Sequence, residues 1–259
     1  MYTTADFLYD LMLVGIAYGY VLLMIMIPVF LKKKDLISKF VARKMVHLFA
    51  GLVVLIVPFF IMPYYAIFIA LSLTVVVYFS SKDSSVKMLK DLYESIGEEE
   101  EEDIKSRLLK KKRSYLQGPF HYCFSITLLV TIFVIFAPHQ LYFPIAGILI
   151  MIISDTLASM VGKRIGKMKI KVPWVRTERT LEGSLTFFVS ALILCFLSFY
   201  TFGLVSPNSQ QQLSFETIIF YSFITAALGT VIELLSPSTW DDLTVPIATT
   251  FIIFLLTFI

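Results

Sequence analysis

Long apolar runs, separated by short polar stretches, set the pattern of this chain. They lie at about 7–31, 45–62, 63–80, 120–137, 143–161, 182–203, 215–235 and 244–259. Crossing a hydrocarbon core takes roughly 20 apolar residues, so each run predicts a membrane helix. The fold class expected is all-α: a polytopic membrane helix bundle of about eight transmembrane helices, forming one domain over residues 1–259. Pro58 and Pro63 allow the 45–80 stretch to be divided in more than one way. The first run is too long for a signal-peptide core and has no basic stretch ahead of it, so it reads as a true span.

Composition agrees with the pattern, since 58% of residues are hydrophobic and only 16% charged, outside the range of soluble domains. Charge then orients the bundle. Lys32 to Lys44 holds six Lys or Arg, Lys82 to Arg113 nine and Lys163 to Arg179 seven, which accounts for all 22. These segments are alternate loops on one side, and the positive-inside rule makes that side cytoplasmic, with both termini outside. No nucleic-acid partner is expected. Cys123 and Cys195 fall within predicted helices far apart in sequence and read as apolar packing residues. The membrane would be the plasma membrane of a prokaryote or the endoplasmic reticulum of a eukaryote.

The longest cytoplasmic loop, 81–119, contains an acidic run from Glu98 to Asp103 and a basic one from Lys110 to Arg113. Opposed charge blocks of this kind form solvated helical faces. Upstream, Val86, Leu89, Leu92, Tyr93 and Ile96 recur at helical spacing, which predicts an amphipathic surface helix over Ser84 to Gly97.

Candidate chemistry gathers where the helices meet the cytoplasmic side. Asp155 lies about six residues above the exit of its span, roughly 9 Å at the helical rise. An ionised carboxylate facing lipid there costs several kcal/mol, so it faces the bundle interior, a watery cleft, a cation or a metal. Either it holds such a ligand or it forms an ion pair tying helices together. Directly after it, Gly162, Lys163, Arg164, Gly166 and Lys167 combine glycines for close backbone approach with cations that neutralise phosphates. The spacing is not that of a Walker A loop. The segment 162–181 is therefore a candidate anion-site loop. Arg179, Thr180, Glu182 and Gly183 open the next span, where Thr180 is placed to cap the helix and Glu182 falls in its first turn. Arg43, Lys44 and His47 start the second span, with Gly51 beyond, and Arg43 and His47 share one helical face. Glu233, Asp241 and Asp242 put three carboxylates within ten residues at the same mouth, a pattern suited to a hard cation such as Mg²⁺. His121 follows Gly118 and Pro119 at a helix start, and His139 falls in a short external loop.

Together these motifs resemble the polyprenol kinase family of dolichol kinase, phytol kinase and CTP-dependent diacylglycerol kinase. Arg43, Lys44, His47 and Gly51 are similar to its RK-x-x-H-x-x-x-G element, and Gly118, Pro119 and Tyr122 to its GP-x-x-Y element. SDTLASMVGKRIGK, RTLEGS and WDDLTVP, with Glu233 ahead of the last, resemble its remaining elements over roughly residues 40–250. Three positions depart from it: Arg179 replaces a usual Lys, Asp242 a usual Asn and Ser154 a common Gly.

The resemblance implies phosphoryl transfer from CTP, with Mg²⁺, to the hydroxyl of a membrane lipid alcohol. It implies catalytic roles for Asp155, Glu182 and Glu233, and Mg²⁺ ligation by Asp155, Asp241 and Asp242. Nucleotide contacts fall to Arg43, Lys44, His47, Gly162, Lys163, Arg164, Gly166, Lys167, Arg179, Thr180 and Gly183. A long isoprenoid alcohol is the expected acceptor, with diacylglycerol, phytol or geranylgeraniol as alternatives. A phosphatidate-type cytidylyltransferase shares the SD and EG elements, but the 229–259 region lacks that family's basic closing segment. A transporter is the alternative of a different class, although transport sites normally lie near the midplane between repeats.

Overall fold

The computed structural model describes residues 2–80, 84, 87–96, 117–175, 179–205, 210–237 and 240–258. Among these the chain is helical apart from one short hairpin. In chain order the helices are α1 (Thr4–Lys33), α2 (Lys39–Gly51), α3 (Tyr64–Phe79), α4 (Lys87–Ile96) and α5 (Gln117–Phe136). Beyond them come α6 (Tyr142–Leu149), α7 (Asp155–Ile165), α8 (Leu181–Tyr200), α9 (Phe215–Leu235) and α10 (Asp241–Leu256). A 3₁₀ segment, Leu52–Phe59, continues α2, and a π-helical turn, Ile150–Ser154, joins α6 to α7 without a break in the rod.

Six stretches of the described chain are long and apolar enough to cross a membrane: Thr4–Lys33, Lys39–Phe59, Gly118–Phe136, Tyr142–Ile165, Leu181–Val205 and Phe215–Leu235. Tyr64–Phe79 and Asp241–Leu256 are apolar too, but at 16 residues each they rise only about 24 Å, short of a hydrocarbon core of about 30 Å. The acidic run at Glu98 to Asp103 and the basic run at Lys110 to Arg113 lie outside the described residues. Of the amphipathic surface helix, the part from Lys87 to Ile96 is helical, and Lys33 at the end of α1 pairs with its Asp91.

Helix starts reflect the local sequence chemistry. Thr3 and Asp6 form a reciprocal capping box on α1, Ser38 caps α2 through the Val41 amide, and Ser214 caps α9 through that of Thr217. The Ser38 cap lets α2 begin six residues before the apolar run at Met45. It thereby draws Arg43 and Lys44 into the helix.

The rod from Tyr142 to Ile165 is the centre of the molecule. Every residue from Leu141 to Ile152 is buried, because α2, α5, α8, α9 and α10 surround it. A helix enclosed on all sides has no use for a polar stripe, and this segment has none. Close approach is arranged locally: a Cβ at Gly147 would collide with Thr250 Oγ1 and lie 2.9 Å from the Pro246 carbonyl. Only glycine admits α10 at that distance.

One polar anchor inside the bundle belongs to none of the sequence motifs. Asp10, fully buried on α1, accepts hydrogen bonds from the Ile61 and Met62 amides at 2.9 and 3.0 Å and from the Tyr2 hydroxyl at 2.8 Å. It satisfies the two amides that the break between the 3₁₀ segment and α3 would otherwise leave open, which low-dielectric surroundings punish. Replacing Asp10 by Ala should therefore destabilise the α1–α3 packing by about 1–3 kcal/mol. Thermal unfolding in detergent should register this as a lower midpoint. An unchanged midpoint would assign the anchoring of that break to other contacts.

Candidate functional site

The ends of α2, α7, α8, α9 and α10 converge on one cleft of about 500 Å³. Its walls bring together Arg43 and Lys44 from α2, Asp155, Gly162 and Lys163 from α7, and Gly166 just beyond. Arg179 and Thr180 of the hairpin, Gly183 of α8, Glu233 of α9, and Asp241 and Asp242 of α10 complete them. These residues span from position 43 to position 242, and the sequence motifs thus meet in space. Phe40, Ser159, Lys169 and Ser184 also line the cleft. Ser159 and Ser184 fall inside the SDTLASMVGKRIGK and RTLEGS motifs, whereas Phe40 and Lys169 carry no sequence signal and become neighbours only through the fold.

Asp155 owes its position to the π-helical turn that precedes it. A π turn adds a residue to the helical repeat and rotates the helix beyond it, a distortion common at functional sites. Asp155 is buried and its Oδ2 accepts from Lys44 Nζ at 2.6 Å, joining the central rod to α2. The ion pair between helices that the sequence allowed is therefore present. It lies in the wall of an open cleft, and so serves both helix contact and site.

The second pair is built around Arg179. The strands β1 (Lys169–Ile170) and β2 (Arg179–Thr180) pair antiparallel, Lys169 opposite Thr180 and Ile170 opposite Arg179. The Trp174 indole donates to the Leu235 carbonyl at 2.9 Å and pins the hairpin to the end of α9. From this support the Arg179 guanidinium bonds Glu233 Oε1 through Nη1, and Asp241 Oδ2 at 3.1 Å through Nη2. Burial opposes its charge, but Glu233 and Asp241 raise its pKa above the ordinary value. Asp241 lies ahead of the last apolar run.

Opposite Arg179, Asp242 Oδ1 stands 3.8 Å from His47 Nε2, which also lies 3.3 Å from the Met151 carbonyl oxygen. His47, Asp155 and Asp242 each offer a ligand atom, all within 4.8 Å of one another. Glu233 Oε2, buried, has no hydrogen-bond partner among the described residues. A buried carboxylate oxygen without a partner is costly, and a hard divalent cation is one way to satisfy it. Among the described residues the group that could hold a metal ion is His47, Asp155 and Asp242, while Glu233 and Asp241 are engaged by Arg179.

The glycines shape the facing wall. Helix α7 runs on through Ile165, so Gly162, Lys163 and Arg164 are helical where the sequence suggested a loop; Lys163 and Arg164 fall in its last turn, where cations favour the helix dipole. Thr180 caps α8 as expected, accepting from the Gly183 amide at 3.2 Å. A Cβ at Gly183 would approach Thr180 Oγ1 to 3.0 Å and the Ala158 carbonyl to 3.1 Å; one at Gly162 would also meet Thr180 Oγ1 at 3.0 Å. The start of α8 is therefore pressed against α7, and its positive N-terminal end opens on the cleft, an arrangement that attracts anions.

Several candidates lie elsewhere. Glu182 is spent on structure, accepting from the Lys167 amide at 2.9 Å and from that of Met168 at 3.3 Å. Neither it nor the exposed Arg164 and Lys167 side chains line the cleft. The Lys163 ammonium lies 3.5 Å from the centroid of the Phe40 ring. His121 stacks obliquely on Trp240, ring centroids 4.9 Å apart, and does not line the cleft. Cys195 is fully buried and Cys123 partly so, both within helices.

With this geometry in view, similarity to known proteins narrows the class. Over 174 residues, 67% of this chain, the sequence is 32% identical to dolichol kinase of Saccharomyces cerevisiae, of which the match covers 30%. Over 97 residues, 38% of this chain, it is 32% identical to an uncharacterised protein of Methanocaldococcus jannaschii, of which the match covers 46%. The chain thus spans less than half the length of the curated relatives it matches. No protein-family model matches it, and no solved structure does. The similarity to dolichol kinase supports the polyprenol kinase family. With the apolar helices, it also supports an integral membrane protein.

Arg179 should be the residue on which the integrity of the cleft depends most. Replacing it with Met leaves Glu233 buried and uncompensated, a loss of about 3–5 kcal/mol. Adding Glu233→Gln to Arg179→Met should restore much of that stability. A double-mutant cycle measured by detergent unfolding reads the coupling directly, and strictly additive losses would show that the pair is not coupled.

Proposed function

We propose that the chain is a CTP-dependent lipid kinase. It transfers the γ-phosphate of CTP to the hydroxyl of a membrane lipid alcohol, of polyprenol or dolichol type, and releases CDP. The observation that carries this reading is the cleft itself, in which a glycine-lined, cationic wall faces four carboxylates inside a bundle of apolar helices. The similarity to dolichol kinase supports the choice of reaction. Counting Tyr64–Phe79 and Asp241–Leu256 with the six longer stretches gives eight spans, with both termini outside and the cleft open to the cytoplasm, as the distribution of Lys and Arg favours.

In such a transfer a bond forms between the alcohol oxygen and the γ-phosphorus, the bond from that phosphorus to the β-bridging oxygen breaks, and the hydroxyl proton leaves. Catalysis is mostly positioning and charge stabilisation. Arg43, Lys163, Lys169 and Arg179 lie where they neutralise a triphosphate, and the α8 amides behind Thr180 add donors. Gly162, Gly166 and Gly183 keep side chains out of its path. Asp155, Glu233, Asp241 and Asp242 would hold Mg²⁺, which when bound spreads the phosphate charge. Asp155 and Glu233 would be the carboxylates that take the hydroxyl proton, and Lys44 would hold Asp155 in orientation. Glu182 acts indirectly, fixing the turn at Lys167 and Met168 that closes the cradle.

The purified protein, given CTP labelled at either the α or the γ phosphate, should pass only the γ label to lipid. Transfer of the α label would identify a cytidylyltransferase, and ion flux into proteoliposomes without nucleotide consumption would identify a transporter. Geranylgeraniol, dolichol and diacylglycerol offered in one panel rank the acceptors.

Asp155→Asn, folded by its unfolding midpoint, should lower turnover on the order of 100-fold or more. Near-normal turnover would remove Asp155 from the chemistry.

A further inference from the structure

A second cavity, of about 130 Å³, lies beside the cleft between α1, α2, the 3₁₀ segment, α3 and α5. Its character is opposite to that of the cleft. Val21, Val54, Ile69, Leu73, Ile126 and Val130 typify its walls, and its charged groups, Arg43, His47 and Asp242, stand together at one end. Arg43 and Asp242 belong to the walls of both cavities, so the two adjoin at that point. A ligand with a polar head at the carboxylates and an apolar tail would occupy both at once.

The junction is held open and firmly built. The Tyr122 hydroxyl donates to the His47 carbonyl at 2.9 Å, and the two rings stand 4.4 Å apart. A Cβ at Gly51 would collide with that hydroxyl and with Ile152, so glycine is what lets α2 close against α5 and the central rod here. On its other side Asp242 is steadied by Ser125, whose Oγ donates to the Asp242 carbonyl at 2.8 Å. His47 and Asp242 therefore stand at the passage from polar to apolar space.

We infer that this groove binds the hydroxyl-proximal segment of the hydrocarbon chain of the acceptor alcohol, with Leu73 and Ile126 limiting its width. The inference rests on the lipid-kinase reading and names where its second substrate lies. An apolar cavity inside a bilayer protein excludes water and is filled by hydrocarbon. A dry apolar cavity of roughly 150 Å³ takes up a benzene-sized molecule, so this volume admits on the order of six carbons, a short segment of one chain next to the hydroxyl. The phosphate to be transferred reaches the hydroxyl from the cleft side, past Arg43 and Asp242.

The full chain in nanodiscs tests this in two ways. Ile126→Phe and Leu73→Phe narrow the groove without touching the cleft; each should raise the KM for geranylgeraniol about tenfold while the KM for CTP stays within twofold. Unchanged acceptor KM in both variants would overturn the proposal. A geranylgeraniol analogue with a diazirine on the chain near the hydroxyl does not depend on any variant folding. It should label Ile69, Leu73 or Ile126 in the wild-type protein. Label confined to the outward-facing Phe68 and Phe124 would overturn the groove as the binding site. A wild-type protein that labels in the groove yet transfers no γ-phosphate to any alcohol would overturn the kinase reading while leaving the groove in place.

Discussion

Four carboxylates drawn into the end of an apolar bundle set the constraint that the rest of the structure answers. Each would be costly alone, and their mutual repulsion adds to the cost. The chain answers with two cations brought from distant segments, Lys44 on Asp155 and Arg179 between Glu233 and Asp241. The compensation is incomplete, because Glu233 Oε2 has no hydrogen-bond partner among the described residues. On the reading proposed above, a divalent cation arriving with phosphates would supply the missing positive charge.

Holding those pairs in register demands irregular backbone where apolar helices would otherwise be regular. The π turn at Ile150–Ser154 presents Asp155, the 3₁₀ segment after Gly51 turns the chain away from the rod, and the hairpin carries Arg179 in from beyond the bundle. Each irregularity has its own support: Asp10 beneath the break before α3, Trp174 on the end of α9, and Glu182 on the turn after Gly166. The polar residues outside the cleft are thus largely committed to keeping distorted backbone satisfied, as a membrane interior requires.

This division of labour decides how much of the structure is legible in the sequence. Apolar runs and basic loops report burial in lipid residue by residue, so the helices were legible, with ends displaced where a cap such as Ser38 recruits residues beyond the run. The carboxylates, cations and glycines of the cleft were legible because such residues are rare in apolar helices and stood near helix ends. Glu182 has the same signature, and only the fold shows its oxygens occupied by backbone amides. Asp10 went unread for the converse reason, being a lone acid in an apolar run whose partners, Ile61 and Met62, are about fifty residues away. The π turn and the apolar groove leave no mark in composition at all. Val, Ile and Leu lining a groove look the same in sequence as Val, Ile and Leu filling a core.

That last equivalence bears on how a membrane enzyme unites a water-soluble and a lipid-soluble reactant. A nucleotide needs charge and hydration, an alcohol tail needs neither, and a single cavity suited to both would bind each poorly. On the proposed reading the bundle would separate them, with helix ends and glycines on one side of Arg43 and Asp242, and aliphatic walls on the other. Only a narrow junction would then have to tolerate both environments. His47, Tyr122 and Asp242 lie at that junction, supported by hydrogen bonds to the backbone. The acceptor hydroxyl, being the one polar atom on a polyprenol, would be the part that finds a hydrogen-bond partner there. Anchoring that hydroxyl where the carboxylates begin is itself an orienting device, because the tail can leave in one direction and the phosphate can come only from the other.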